Sequence, residues 1–104
     1  MEKRKPHHDL DAFKETLSSP DRLAVTTVAL RSAIALGFDR EEMAAALWRL
    51  ERSHFYKSMT SHADHRQWQD VYHLPYDGLT LYVKFTADTV TEFTLLSFKE
   101  KDDG

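Results

Sequence analysis

The sequence predicts an α+β fold in which N-terminal helices pack on a twisted, mainly antiparallel sheet formed by the C-terminal half. Three observations predict it. Apolar residues recur at helical spacing between Leu10 and Leu50, and from about His54 onward they alternate as in strands. The links between the strand-like segments are short, which favours antiparallel neighbours. Helices first and a strand meander second make a layered architecture. Residues 1–104 read as one domain, 1–104 being long enough to bury one modest core.

Asp9 is placed to cap a first helix whose Leu10, Phe13 and Leu17 share one face, with Ser18-Ser19-Pro20 as its stop. Thr26 or Thr27 caps a second, with Leu30, Ala33, Ile34 and Thr27 expected inward and Gly37 closing it in a left-handed conformation. Asp39 and Glu42 have the spacing of a capping box at the start of a third helix, and Phe38 and Met43 that of a hydrophobic staple. Met43, Leu47 and Leu50 form its stripe, and its end is expected near Glu51-Arg52-Ser53. Strands are predicted over 55–61 and 68–73, then a turn over 74–78 marked by proline and Asp-Gly. The cleanest strand is 79–86, with Leu79, Leu81, Val83 and Phe85 facing the helices and Tyr82 and Lys84 facing away. Residues 87–89 read as a connection, 90–99 as a last, central strand, and 101–104 as a solvated tail.

Composition excludes several classes. There is no cysteine, which removes disulfides, thiolate metal sites and cysteine nucleophiles and fits a reducing cytoplasm. The start of the chain, Met1 to His8, is charged and leads into no apolar stretch, so it does not read as a secretory signal. No apolar run approaches the roughly 20 residues that span a bilayer, so no membrane role is expected. The formal net charge of -3 runs against nucleic-acid binding unless cations gather in a local patch.

Among residues with chemistry to offer, His62-Ala63-Asp64-His65 stands out, with His54 and His73 nearby. Metal ligation, proton transfer and a plain exposed loop all fit such a cluster. Lys57, Lys84 and Lys99 lie on predicted strands, where lysines ordinarily line solvated faces. Tyr56, Tyr72, Tyr76 and Tyr82 are ordinary sheet residues by propensity. Trp48 and Trp68 read as packing residues, Trp68 with base stacking as its functional alternative, and His7-His8 as a disordered feature. With only three glycines there is no glycine-rich phosphate loop, nor is there a zinc-protease helix or nucleophile elbow. The residues alone leave the function open.

Several blocks in order give more. His54-Phe55-Tyr56-Lys57-Ser58-Met59-Thr60, Ser61-His62-Ala63-Asp64-His65, Trp68-Gln69-Asp70-Val71-Tyr72 and Ser97-Phe98-Lys99-Glu100-Lys101 together resemble the motility quorum-sensing regulator (MqsR) toxin family. The opening Met1-Glu2-Lys3-Arg4 with Pro6-His7 is similar too. The resemblance implies a RelE-like fold and a bacterial, cytoplasmic messenger-RNA interferase of a type II toxin–antitoxin system. It implies single-stranded mRNA as substrate, cleaved at short GC-containing sites. The implied partner is an MqsA-like antitoxin with a zinc-binding and a helix-turn-helix domain, and DNA is contacted only through it. No cofactor or metal is implied for this chain itself. The resemblance places catalytic residues at Lys57, Gln69, Tyr82 and Lys99. The chain departs from better-known members in its acidic balance and in the stretch 73–78.

The implied reaction uses the RNA's own 2′-OH to attack the adjacent phosphate and expel the 5′ oxygen. The enzyme then needs a route for the 2′ proton, positive charge at the phosphate and a proton for the leaving oxygen. Lys57 and Lys99 supply cations, Tyr82 an O–H and Gln69 a positioning amide. His62, His65 and Lys84 stand in reserve for RNA contact or proton transfer. Simple alternation sets Lys57 with Phe55 and Met59, and Lys99 with Leu95 and Ser97, which a shared solvent-facing site tolerates only if a β-bulge or a register change intervenes. Two other readings stay open: a non-catalytic protein- or RNA-binding module, and a metal-dependent hydrolase built on His62, Asp64 and His65.

Overall fold

A computed structural model describes residues 1–19, 23–89 and 92–102. Helix α1, Leu10–Glu15, starts where the Asp9 carboxylate accepts from the backbone N–H groups of Asp11 and Ala12, and it runs into a 3-10 turn at Thr16–Ser18. The expected stop at Pro20 lies outside the described residues. Helix α2, Thr27–Ala35, is capped by Thr26, whose hydroxyl accepts from Ala29 N–H at 3.1 Å, and Gly37 closes it at φ 90°. Its inner face is a correction to the sequence reading. Ala29 and Ala33 are buried, whereas Thr27 is exposed and Ile34 is 60 % exposed. Two alanines let the helix backbone come close to the sheet, and that close approach sets the rotation of the helix.

Helix α3, Arg40–Leu47, carries the full capping box, with Glu42 N–H to Asp39 at 2.8 Å and Asp39 N–H to Glu42 at 3.3 Å. It ends several residues before the expected 51–53. Arg49 and Leu50 donate to the carbonyls three residues back, tightening the last turn, and Lys14 Nζ takes up the Leu50 carbonyl at 2.8 Å. Trp48, expected in the core or as half-buried packing, is 54 % exposed, so half-buried, with the Lys14 ammonium 5.3 Å over its ring.

Among the described residues, six strands form one sheet in the order β1-β3-β4-β5-β6-β2. They are β1 Glu2–Lys3, β2 Ala24–Val25, β3 Phe55–Thr60, β4 Trp68–Tyr76, β5 Leu79–Thr89 and β6 Glu92–Glu100. Only β2, beside β6, runs parallel to its neighbour. The RelE-like α+β arrangement therefore holds, with the first half of the chain adding two short edge strands. The turn between β4 and β5 is narrower than 74–78. Leu74, Pro75 and Tyr76 belong to β4, and Asp77 and Gly78 alone turn the chain, at φ 46° and 85°. Both positive angles fit a tight two-residue hairpin turn. Residues 87–89, expected as a connection, continue β5. The expected strand start at Val90 and the end of the tail, Asp103-Gly104, lie outside the described residues.

One face of the sheet meets the helices. Phe13, Leu17, Met43 and Leu47 pack against Tyr72, Leu81, Val83, Phe85 and Phe98, and the Phe13 and Phe85 rings stack at 3.9 Å. The N-terminal segment is ordered, against expectation. His7 and His8 donate their backbone N–H groups to the buried Asp70 carboxylate at 2.8 to 3.1 Å, and Ser58 Oγ donates to the same group at 2.7 Å. The His7 ring stacks on Trp68 at 5.3 Å, and Lys3 Nζ lies 4.3 Å over the same indole. Lys3 Nζ also lies 2.8 Å from His7 Nδ1, so the two cover one face of Trp68, which stays at the sheet margin and outside the core.

Candidate active site

Two bulges decide which side chains reach the sheet face that carries no helix. The ladder between β3 and β4 pairs Phe55 with Tyr72 but Lys57 with Val71, so Tyr56 is an extra residue on β3. Phe55 therefore packs with the core, and Lys57 emerges on the opposite face beside Met59. On β6, Leu96 is extra in the same way, since Lys84 pairs with Ser97 and Phe85 with Leu95. Leu95 is buried in the core, while Ser97 and Lys99 lie on the far face. The conflict left by simple alternation is resolved at both strands.

On that face the register places His73, Tyr82 and Lys99 in one row across β4, β5 and β6, and Lys57, Val71, Lys84 and Ser97 in the next. Gln69 lies on the same face one row further, between Met59 and Thr86. Lys99 Nζ sits 5.3 Å over the Tyr82 ring, and Lys57 Nζ 5.5 Å from the Tyr56 ring. The rings of Tyr56 and His73 stack at 4.4 Å, and the His73 and Tyr82 rings are 5.9 Å apart. The Arg4 guanidinium lies 5.8 Å from Tyr56. The local cationic patch that an acidic chain needs for phosphate is therefore present.

The environment differentiates these groups. Lys57 Nζ donates to Glu2 Oε1 at 2.6 Å, and that hydrogen bond holds the Lys57 ammonium above its ordinary pKa. Burial raises the Tyr82 phenol, with Lys57 opposing, so it remains an O–H donor at neutral pH. Burial, helped by Lys99, lowers the Lys84 ammonium. Burial, helped by Lys101, lowers the His73 imidazole.

The structure brings together Lys57, Tyr82, Lys99 and Lys84, with Gln69 at the margin. It does not bring His62 or His65 to them. Both are exposed in the loop after Thr60, at the other end of the hairpin from His73. Asp64 in that loop accepts from the backbone N–H and Nε of Arg66. Among the described residues no three histidine, aspartate or glutamate side chains are grouped to hold a metal. His73, named in the sequence only as a neighbour of the histidine cluster, and Arg4, named only in the opening block, also lie at this face. The Asp77-Gly78 pair, read as a two-residue turn, would have set His73 opposite Tyr82.

Helices on one face of a mainly antiparallel sheet, with lysine and tyrosine side chains on the other, define an α+β protein with a cationic open sheet face. A family model described as "Motility quorum-sensing regulator, toxin of MqsA" matches residues 5–100. The chain is 39% identical over 101 residues to the mRNA interferase toxin MqsR of Escherichia coli (strain K12), covering 97% of this chain and 100% of that protein. The chain belongs to the MqsR toxin family.

Proposed function

We propose that the chain is the toxin of a type II toxin–antitoxin pair, an endoribonuclease that cleaves single-stranded mRNA and so inhibits translation and growth. The name of its E. coli relative, an mRNA interferase, supports the activity. The single observation that carries the chemistry is the convergence of Lys57, Tyr82 and Lys99 on one helix-free face through two bulges.

The 2′ oxygen attacks the neighbouring phosphorus and the bond to the 5′ oxygen breaks, leaving a 2′,3′-cyclic phosphate and a 5′-hydroxyl. Lys57 and Lys99 neutralise charge that builds on the phosphate, an effect larger in a partly dry groove than in water. Lys57, held cationic by Glu2, acts as a charge and not as a base. Tyr82 donates its O–H to a phosphate oxygen, and Gln69 positions the chain through its amide. Lys84 adds a further phosphate contact, and His62 and His65 meet flanking RNA. No step uses a metal or cofactor. The family description supports a partner like MqsA. We assign that antitoxin a zinc-binding domain and a helix-turn-helix domain, through which alone the pair contacts DNA.

The test is incubation with a long RNA in EDTA, with analysis of the ends. Cyclic-phosphate ends are expected, and Lys57→Ala or Tyr82→Phe lowers kcat roughly 100- to 1000-fold without unfolding the chain. Intact RNA with folded protein would leave a binding module, and loss of cleavage in EDTA would require a metal.

A further inference from the structure

The proposed reaction needs an acceptor for the 2′ proton, and three of the four residues assigned so far do not supply one. Gln69 does not titrate, Lys57 is held cationic, and Tyr82 is held protonated. The inference below rests on the ribonuclease reading. We propose that His73 is the general base of RNA cleavage, taking the 2′ proton while Lys99, on the far side of Tyr82, protonates the departing 5′ oxygen.

Register carries the argument. His73 pairs with Tyr82 and Tyr82 with Lys99, so the three side chains stand in line across β4, β5 and β6 on the same face. Adjacent strands lie about 4.8 Å apart, so His73 and Lys99 flank Tyr82 at opposite ends of a row about 10 Å long. In-line displacement at phosphorus requires the entering and leaving oxygens on opposite sides of the atom. A phosphate over the Tyr82 hydroxyl then has an imidazole on one side and an ammonium on the other. The bookkeeping closes within the row. The O2′–H bond breaks to an imidazole nitrogen, the O2′–P bond forms, the P–O5′ bond breaks, and O5′ takes a proton from the Lys99 ammonium.

The surroundings keep His73 fixed and neutral. Tyr56 stacks on it from β3, and the bulge that exposes Lys57 sets that tyrosine there. The charged or titratable groups that face it are Tyr56 and Lys57 from β3, Tyr82 from β5, Lys99 beyond it on β6, Lys101 after β6, and Arg4 across Tyr56. Among the described residues Glu2 is the acid of the patch, and it is engaged with Lys57. Burial, with the Lys101 charge added, holds the imidazole below its ordinary range, free to accept a proton at neutral pH. Lys84 is the competing base. Its amine starts about four units above imidazole, and it stands in the neighbouring row, not in line with Tyr82 and Lys99.

The experiment is a pH–rate profile on a short RNA with one cleavage site, for the unaltered chain, His73→Ala, His73→Gln, Lys84→Met and Lys57→Ala, each checked for folding by circular dichroism. The unaltered chain is expected to gain kcat with rising pH and level off below the usual imidazole range. His73→Ala and His73→Gln are expected to lose about 100-fold or more in kcat with KM little changed, and to lose that acidic limb. Added imidazole should restore part of the rate of His73→Ala only. Lys57→Ala should be slow but keep the limb. The assignment is overturned if His73→Ala keeps kcat within twofold and the limb intact, if only KM rises, or if the limb disappears in Lys84→Met instead. In each of those cases cleavage by the unaltered chain still stands. Failure of the unaltered chain to cut RNA would overturn the ribonuclease reading and this assignment together.

Discussion

Two tyrosines on neighbouring strands show how environment divides one residue type into different tasks. Tyr82, half-buried beside Lys57, presents its hydroxyl on the open face. Tyr72 is fully buried in the core, and its hydroxyl has no hydrogen-bond partner among the described residues. Burial, with the charge of Asp70, pushes the Tyr72 phenol up to about 12. The folded pKa lies above the unfolded value near 10, so this stabilisation of the native state is complete below about pH 10. It is lost as pH rises toward about 12, and a two-unit shift corresponds to roughly 2 to 3 kcal/mol. Tyr72→Phe deletes the orphaned hydroxyl while keeping the ring. It is expected to be neutral or to stabilise by about 1 kcal/mol at pH 7 and to flatten the alkaline fall in stability, both read from urea melts between pH 7 and 11. A loss above about 1 kcal/mol at pH 7 would show that the hydroxyl has a partner in solution.

Elements, in turn, are held by a few polar contacts that fix what the bulges expose. The buried Asp70 carboxylate accepts from the His7 and His8 N–H groups and from Ser58, tying the N-terminal segment to β3 and β4. That anchor keeps β1 in register, with Glu2 opposite Met59 and its carboxylate on Lys57. Asp70→Ala leaves the His7 and His8 N–H groups unpaired and Ser58 with only its longer contact to the Gln69 carbonyl at 3.3 Å, and is expected to cost about 3 kcal/mol by urea denaturation. At temperatures where it stays folded, Lys57 loses its tether and RNA cleavage falls, whereas an unchanged rate would show that the anchor does not position Lys57. How much of this was legible in the sequence follows from how local each signal is. The caps at Asp9 and Asp39, the closing Gly37 and the inward face of β5 depend on neighbours within a turn or on plain alternation, and each was readable. The bulges at Tyr56 and Leu96 exist only as register against a partner strand, so alternation grouped Lys57 with Phe55 and Lys99 with Leu95, residues that face the core instead. The Asp70 anchor spans more than sixty residues of chain, and the histidines it holds read as a loose end. The site residues themselves came from resemblance in blocks and not from periodicity, and His73 escaped both.

For the chain taken as a unit, charge is the property that a sum conceals. The formal net charge is -3, yet Arg4, Lys57, Lys84 and Lys99 gather at the open face, while Asp11, Glu15, Glu41 and Glu42 sit exposed on helices across the core. On the proposed ribonuclease reading, an acidic far side would repel RNA and a small basic face would capture it, confining binding to a short stretch of single strand. Each phosphate contacted on a single strand contributes about -0.7 to the slope of log affinity against log salt. Three or four cations at the face therefore predict a slope of about -2 to -3. Fluorescence anisotropy with an RNA blocked by 2′-deoxy substitution reads binding without cleavage, and Lys84→Met should reduce the slope by about 0.7. A slope near zero would mean that the lysines do not meet phosphate at all. A slope beyond about -5 would require cations that the acidic helices do not provide, and RNA would then have to follow a path other than the row of His73, Tyr82 and Lys99.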